Sequence, residues 1–232
     1  MPKKRKPTVF VSYSTKDKRI GAGVKQVLRR LHIRCFLAHA DLEVSDEWKE
    51  CILKELRSCD VFIALLSAAF RDSEWAPQEV GIIVGRADVP IIPLSVDGTI
   101  PFGFISHIQS RPLRGGEVTE SLLLRAMTKK APRIVIPGLI KRVAEASGFR
   151  LAEAAMKPLV PLFKNLTKEE LDSLVRGAIK NGQVWSAADC RNTYLPKLIR
   201  TNRKRIEPDD LRVLKYQIEH DRWYPRRDPD ED

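Results

Sequence analysis

Val61-Phe62-Ile63-Ala64-Leu65-Leu66-Ser67 is an unbroken apolar run, and Ser73-Glu74-Trp75-Ala76-Pro77-Gln78-Glu79-Val80-Gly81 follows close behind it. The first stretch has the length of a strand and no polar alternation, the pattern of a strand buried on both faces. The second opens a helix. Pro77 is tolerated there because the first turn contains backbone donors without partners in any case. Trp75 and Glu79 are four residues apart and therefore share one helical face. They stand just past the C-terminal end of a strand, where open α/β sheets bind ligands. An indole can stack on a base or a nicotinamide. A carboxylate can hold ribose hydroxyls or stabilise a developing sugar cation. The pair therefore points to a reaction at a nucleotide glycoside.

Outward from this centre, strand and helix patterns alternate from Thr8 to about Ala131. Val9–Tyr13 and Ile33–Leu37 read as strands, with a helix from Lys16 to Leu31 between them. Ser45 can cap a helix carrying Trp48, Ile52, Leu53 and Leu56. Glu74–Arg86 is the helix of the Trp75/Glu79 motif. Pro90–Val96 is a fourth strand whose prolines place it at an outer position. Ile108–Leu113 is a short fifth strand, followed by a helix from Val118 to Lys130. Short apolar strands alternating with helices imply a parallel sheet covered on both faces. Near Lys129-Lys130-Ala131-Pro132 the strand signal ends. Beyond it lie helical patterns at Ile134–Ala146 and Leu151–Phe163, the latter interrupted by Pro158 and Pro161. A capping box pairs Thr167 with Glu170, at the head of a helix that runs to Lys180 and stops at Asn181-Gly182. Two more helices are expected at Thr193–Arg200 and Asp209–Glu219. The domain reading is a basic tail at 1–7, an α/β domain at 8–131, a small all-α region at 132–225 with a core including Trp185, Tyr194, Leu195 and Ile199, and a frayed tail at 226–232.

The 232 residues, 43% hydrophobic, suffice for a sizeable core. No apolar run approaches the roughly 20 residues of a membrane span, and the start of the chain lacks the apolar core of a signal peptide. Cys35, Cys51, Cys59 and Cys190 show no metal-ligand spacing, and neither do His32, His39, His107 and His220; reduced thiols and a cytoplasmic protein are the expectation. The net charge is +11, with eleven basic and five acidic residues between Arg191 and Arg227. Mixed charges of this kind read first as solvated surface, and no nucleic-acid motif accompanies them. Gly-rich phosphate and dinucleotide fingerprints are absent, so a bound nucleotide would be held without a Rossmann turn.

Four pieces, in this order and spacing, resemble the bacterial Toll/interleukin-1 receptor (TIR) domain. They are Val9-Phe10-Val11-Ser12-Tyr13-Ser14, Phe36 to Trp48, Trp75 to Gly81, and Pro101 to Gln109. The resemblance implies a flavodoxin-like fold: a five-stranded parallel sheet with helices on both faces, here followed by the helical C-terminal region. It implies an enzyme that cleaves NAD at the nicotinamide–ribose bond. The products are nicotinamide and ADP-ribose or a cyclic isomer, as a defence or signalling output. Some members act instead as non-enzymatic adaptors that self-associate. By the same resemblance Glu79 is the catalytic glutamate, Trp75 stacks against substrate, Tyr13 and Ser14 form the pocket rim, and Asp41 to Trp48 form a loop that rearranges on assembly. Ala40 departs from the family pattern, which often has an acidic residue there.

The chemistry agrees with this assignment. Nicotinamide leaves readily because its ring nitrogen is positive, so the site needs one carboxylate near the anomeric carbon more than a strong acid. Hydroxyls and backbone N–H groups from Ser14 to Lys16 can meet the pyrophosphate. Trp48 can close the pocket, although its spacing with Ile52 and Leu56 suits a buried helix face equally. The expected partners are NAD as substrate, further copies of the chain, and a separate effector reading the product. No metal, other cofactor or membrane is expected, and nucleic-acid binding by the basic C-terminal helices is the least favoured alternative.

Overall fold

In the computed structural model the described residues are 5–38 and 46–220, with the side chains of residues 46–48 excluded. The first strand, β1 (Thr8–Ser12), leads through a 3-10 turn at Thr15–Asp17 into α1 (Lys18–Arg30), and β2 (Arg34–Leu37) follows. Next come α2 (Asp46–Ser58), β3 (Val61–Leu66), the single turn α3 (Ala68–Arg71), and α4 (Ala76–Gly85). Then β4 (Ile91–Ser95), the two-residue β5 (Arg111–Pro112) and α5 (Glu120–Lys130) complete the pattern. Among the described residues all four pairings between these strands are parallel, and the order is β2-β1-β3-β4-β5. β3 sits at the centre and is buried along its whole length, as its continuous apolar run requires.

Side chains alternate across the sheet. Phe10, Phe62, Ala64 and Leu66 face a core built with Ile52 and Leu56 of α2, Phe70 of α3, and Ala76, Val80 and Ile83 of α4. Val9, Val11, Ile63 and Leu65 are buried toward the other face, where α1 and α5 lie together. Phe10 stacks on Phe62 with centroids 5.6 Å apart, tying neighbouring strands within the first of these cores.

The prolines mislead about β4. It is not an outer strand: β3 lies on one side and β5 on the other. Phe62 N–H donates to Pro90 O and Val96 N–H to Leu66 O, so even-numbered positions of β4 face β3 and Pro93 faces away. β5 pairs only with Leu94 and Ser95. The missing N–H of Pro93 thus falls on the side of β4 that β5 is too short to cover.

The chain divides into two compact units after Val135, inside α6 (Pro132–Ala144). Among the described residues the second unit is all-helical. It continues with α7 (Phe149–Met156), a 3-10 segment at Lys157–Asn165, and α8 (Lys168–Lys180). Then come α9 (Gly182–Trp185), a π-helical turn at Cys190–Tyr194, α10 (Leu195–Asn202) and α11 (Pro208–Glu219). Pro158 and Pro161 hold the 3-10 segment out of α-geometry. The capping box of α8 is present in both directions, with Thr167 N–H donating to Glu170 Oε2 at 2.8 Å and Glu170 N–H to Thr167 Oγ1 at 3.1 Å. Its core includes Leu171, Leu174, Val175, Leu195, Leu198 and Leu214. Tyr194 joins that burial, whereas Trp185 and Ile199 are half-buried. Among the described residues no helix is long and apolar enough to cross a membrane.

Candidate functional site

The C-terminal edge of the sheet is polar. Ser12 ends β1, Ser67 follows β3 and Ser95 ends β4, and all three are buried. Ser67 caps α3 through Phe70 N–H and donates to Asp17 Oδ2 at 2.6 Å, fastening the loop after β1 to the end of β3. The exposed carboxylate of Asp97, after β4, accepts from Ala68 N–H and from both the N–H and the hydroxyl of Thr99. These hydrogen bonds, the Thr99 hydroxyl foremost, hold its pKa down at about 2. The loops over the strand ends are thus tied to one another by carboxylates and hydroxyls.

Glu79 is the exceptional group. It sits in the first turn of α4 and is 2% exposed. The Ser12 hydroxyl donates to its Oε2 in a short hydrogen bond. Its Oε1 is buried without a hydrogen-bond partner among the described residues. Burial pushes its pKa up to about 8, against the opposing pull of the Ser12 hydroxyl. A buried carboxyl with one oxygen unsatisfied is costly for stability, and such groups concentrate where chemistry is done.

The other residues expected at the site are dispersed. Trp75 stands at the N-cap position of α4, one turn before Glu79, and is 36% exposed; its backbone N–H and that of Ala76 both donate to Ser73 Oγ at 3.3 Å. Tyr13 follows Ser12 directly, so strand alternation sends it to the opposite face, where it is fully buried with its ring beside Gly21 of α1. Ser14 is buried and caps the 3-10 turn, accepting from Lys16 N–H, while Asp17 N–H donates to Ser14 O at 2.7 Å. One of the backbone donors expected to meet a pyrophosphate, Lys16 N–H, is therefore already engaged locally. The Lys16 side chain is exposed. Asp41, His39, Ala40, Ser45 and the side chain of Trp48 lie outside the described residues. Among the described residues no group of three or more His, Cys, Asp and Glu side chains is placed to hold a metal ion.

Ser12 is the residue that the sequence reading overlooks. Its signal is a lone hydroxyl at the end of a strand whose preceding same-face residue, Phe10, is core.

A parallel sheet of order 2-1-3-4-5, with its polar constellation at the carboxyl ends of the strands, defines a flavodoxin-like α/β domain. The chain belongs to the TIR domain family: the family model matches residues 9–126, just over half of its length. Among curated proteins no match to the chain is found.

Proposed function

We propose that this TIR domain cleaves NAD at the nicotinamide–ribose bond, with Glu79 as the catalytic carboxylate. The observation that carries the reading is Glu79 itself: enclosed at the C-terminal edge, held by Ser12 through one oxygen, with the other oxygen unsatisfied. In the reaction the C1′–N bond breaks and its electron pair neutralises the pyridinium nitrogen, so nicotinamide leaves uncharged. The ribose carbon becomes an oxocarbenium centre, which the Glu79 carboxylate stabilises in a low-dielectric surrounding. Water attacks that carbon and loses a proton, giving ADP-ribose. Attack by an adenine nitrogen gives a cyclic isomer, and exclusion of water favours it. Trp75, one helical turn away and partly exposed, supplies the ring against which nicotinamide or adenine stacks. Serving as an intracellular defence or signalling output, the product would be read by a separate effector.

Because Glu79 is enclosed, substrate contact requires its covering to open, and self-association is the event that opens it. The expected result is nicotinamide release from NAD by concentrated wild-type protein and none from Glu79→Gln, with products resolved by chromatography and mass spectrometry. Equal turnover by the two proteins contradicts the assignment.

A second reading, a non-enzymatic adaptor, is favoured by one observation. Ile100 and Phe104, in the segment between β4 and β5, are 69% and 73% exposed, an apolar pair open to a partner. Wild-type and Glu79→Gln chains that assemble alike, with no NAD loss in either, favour this reading.

A further inference from the structure

We propose that a second small-molecule site, at the N-terminal edge of the sheet, binds a polyphosphate-bearing anion of nucleotide size. A cavity of about 590 Å³ opens there, within the range of small-molecule sites. Its walls are the residues that precede β1, β3 and β4 (Arg5, Asp60 and Pro90), the end of α2, and the α5–α6 joint. Ser12 and Glu79 belong to the opposite, C-terminal edge, so this site is separate from the reaction centre. It stands whether or not the domain cleaves NAD.

Charge defines the ligand. Among the described residues Arg5, Arg57, Arg86, Lys130 and Arg133 line the cavity against only Asp60 and Asp88. Both acids are answered from within: Asp60 by Arg5 at 2.7 Å and by Thr8 N–H at 2.7 Å, and Asp88 by Arg86 at 3.1 Å. The negative end of the α2 dipole is answered too, since Arg86 Nη1 donates to Leu56 O at 2.6 Å and Cys59 O at 3.1 Å. Burial pushes the Cys59 thiol up to about 11, so it adds no negative charge at neutral pH. The surplus is positive. It is carried by Arg57 and Lys130, exposed side chains reaching the cavity from the end of α2 and the end of α5. A guanidinium fork and an ammonium around a concave wall suit several phosphate oxygens at once. Pro90, Pro132 and Ile134 add apolar wall for an attached base or sugar. The concavity favours a small ligand over a nucleic-acid backbone, which tracks extended basic surfaces.

The test is titration calorimetry of the full chain with inorganic triphosphate, with ADP and with a single-stranded oligonucleotide. It is repeated on Arg57→Gln/Lys130→Gln and, as a control of equal charge loss in the second unit, Lys197→Gln/Arg200→Gln. The expected result is saturable binding of triphosphate or ADP that weakens about tenfold or more in the first pair and holds in the control. Tighter ADP than triphosphate identifies a nucleotide ligand, and the reverse identifies an inorganic polyphosphate. ADP binding is measured again in Glu79→Gln/Trp75→Ala, where persistence assigns it to this cavity and loss assigns it to the reaction centre. Absence of saturable binding below about 1 mM, equal weakening in both charge pairs, or binding of the oligonucleotide alone overturns the proposal. All four substituted basic side chains are exposed, so thermal melts are expected to match wild type and to confirm folding.

Discussion

At the residue scale, the Ser12–Glu79 pair makes pH the natural probe. Glu79 titrates near 8 in the folded chain and near 4.5 when exposed. Between these values the unfolded chain binds fewer protons than the native one, so this group makes stability fall as pH rises from about 4.5 to 8. Glu79→Gln cannot ionise. Its melting temperature is expected to gain several degrees on wild type between pH 5 and 9, read by calorimetry; parallel curves would show that Glu79 does not titrate as described. The proposed chemistry needs the carboxylate, so kcat/KM is expected to rise toward a plateau above about pH 8. Ser12 stabilises the ionised form, and Ser12→Ala removes that donor. The inflection then moves to higher pH, and kcat/KM at pH 7 drops about 10- to 100-fold. A lowered rate with an unmoved inflection would make Ser12 structural only. Glu79 and Trp75 are legible in the chain because a helix sets their spacing. Ser12 is not, because it meets Glu79 across 67 positions, and only the placement of β1 beside β3 brings them together. Tyr13 is legible as a strand end, but its facing depends on a register that local pattern does not fix.

At the element scale, one side chain in the second unit closes the ends of two helices. Asn181 Nδ2 approaches the carbonyls of Val143, Ala144 and Ala146 at 3.0, 3.2 and 3.0 Å, closing the end of α6. Its Oδ1 accepts from Gln183 N–H at 3.0 Å and caps α9. One side chain therefore satisfies orphan groups of two helices. Asn181→Ala is expected to cost about 1–3 kcal/mol in chemical denaturation. Asn181→Asp keeps the α9 cap but sets a charge against the carbonyls, so it should recover little; full recovery would place the stabilisation in α9 alone. The sequence announces Asn181-Gly182 as a stop but cannot say what the amide reaches, because its acceptors lie more than thirty positions away. The strand-helix alternation reads cleanly for the same reason α8 does: periodicity and caps are local. β4 misreads because the strand-edge rule speaks of an N–H, and β5 covers only two residues of the strand. The 3-10 segment after α7 is half legible, its prolines announcing an interruption without its geometry.

At the scale of the whole molecule, the exposed Phe104 belongs to a turn packed on the helix that carries the buried Glu79. The turn Gly103–Ile105 lies against α4, the helix that carries Glu79. Within it Ile105 is buried with the α4 core, while Phe104 points outward at 73% exposure. Phe102, just before it, is held by Phe70 at 6.3 Å and by Arg71 over its ring at 5.3 Å, so the segment is anchored at both ends of its exposed residue. A partner that covers Ile100 and Phe104 would press on an element in direct contact with α4. Such burial is favourable by roughly 2 kcal/mol per large side chain, and it gives assembly a route to the helix on which Glu79 sits. NAD cleavage per molecule is therefore expected to rise with protein concentration, in step with mass measured by light scattering. Phe104→Asp should remove both rises together while leaving the melting temperature within about 2 °C, since the side chain it replaces is mostly in water. Turnover independent of concentration would detach activity from assembly. Assembly that survives Phe104→Asp would place the contact on another surface. Loss of both in Phe104→Asp, with Glu79→Gln still assembling but inert, would assign association to the β4–β5 segment and chemistry to Glu79.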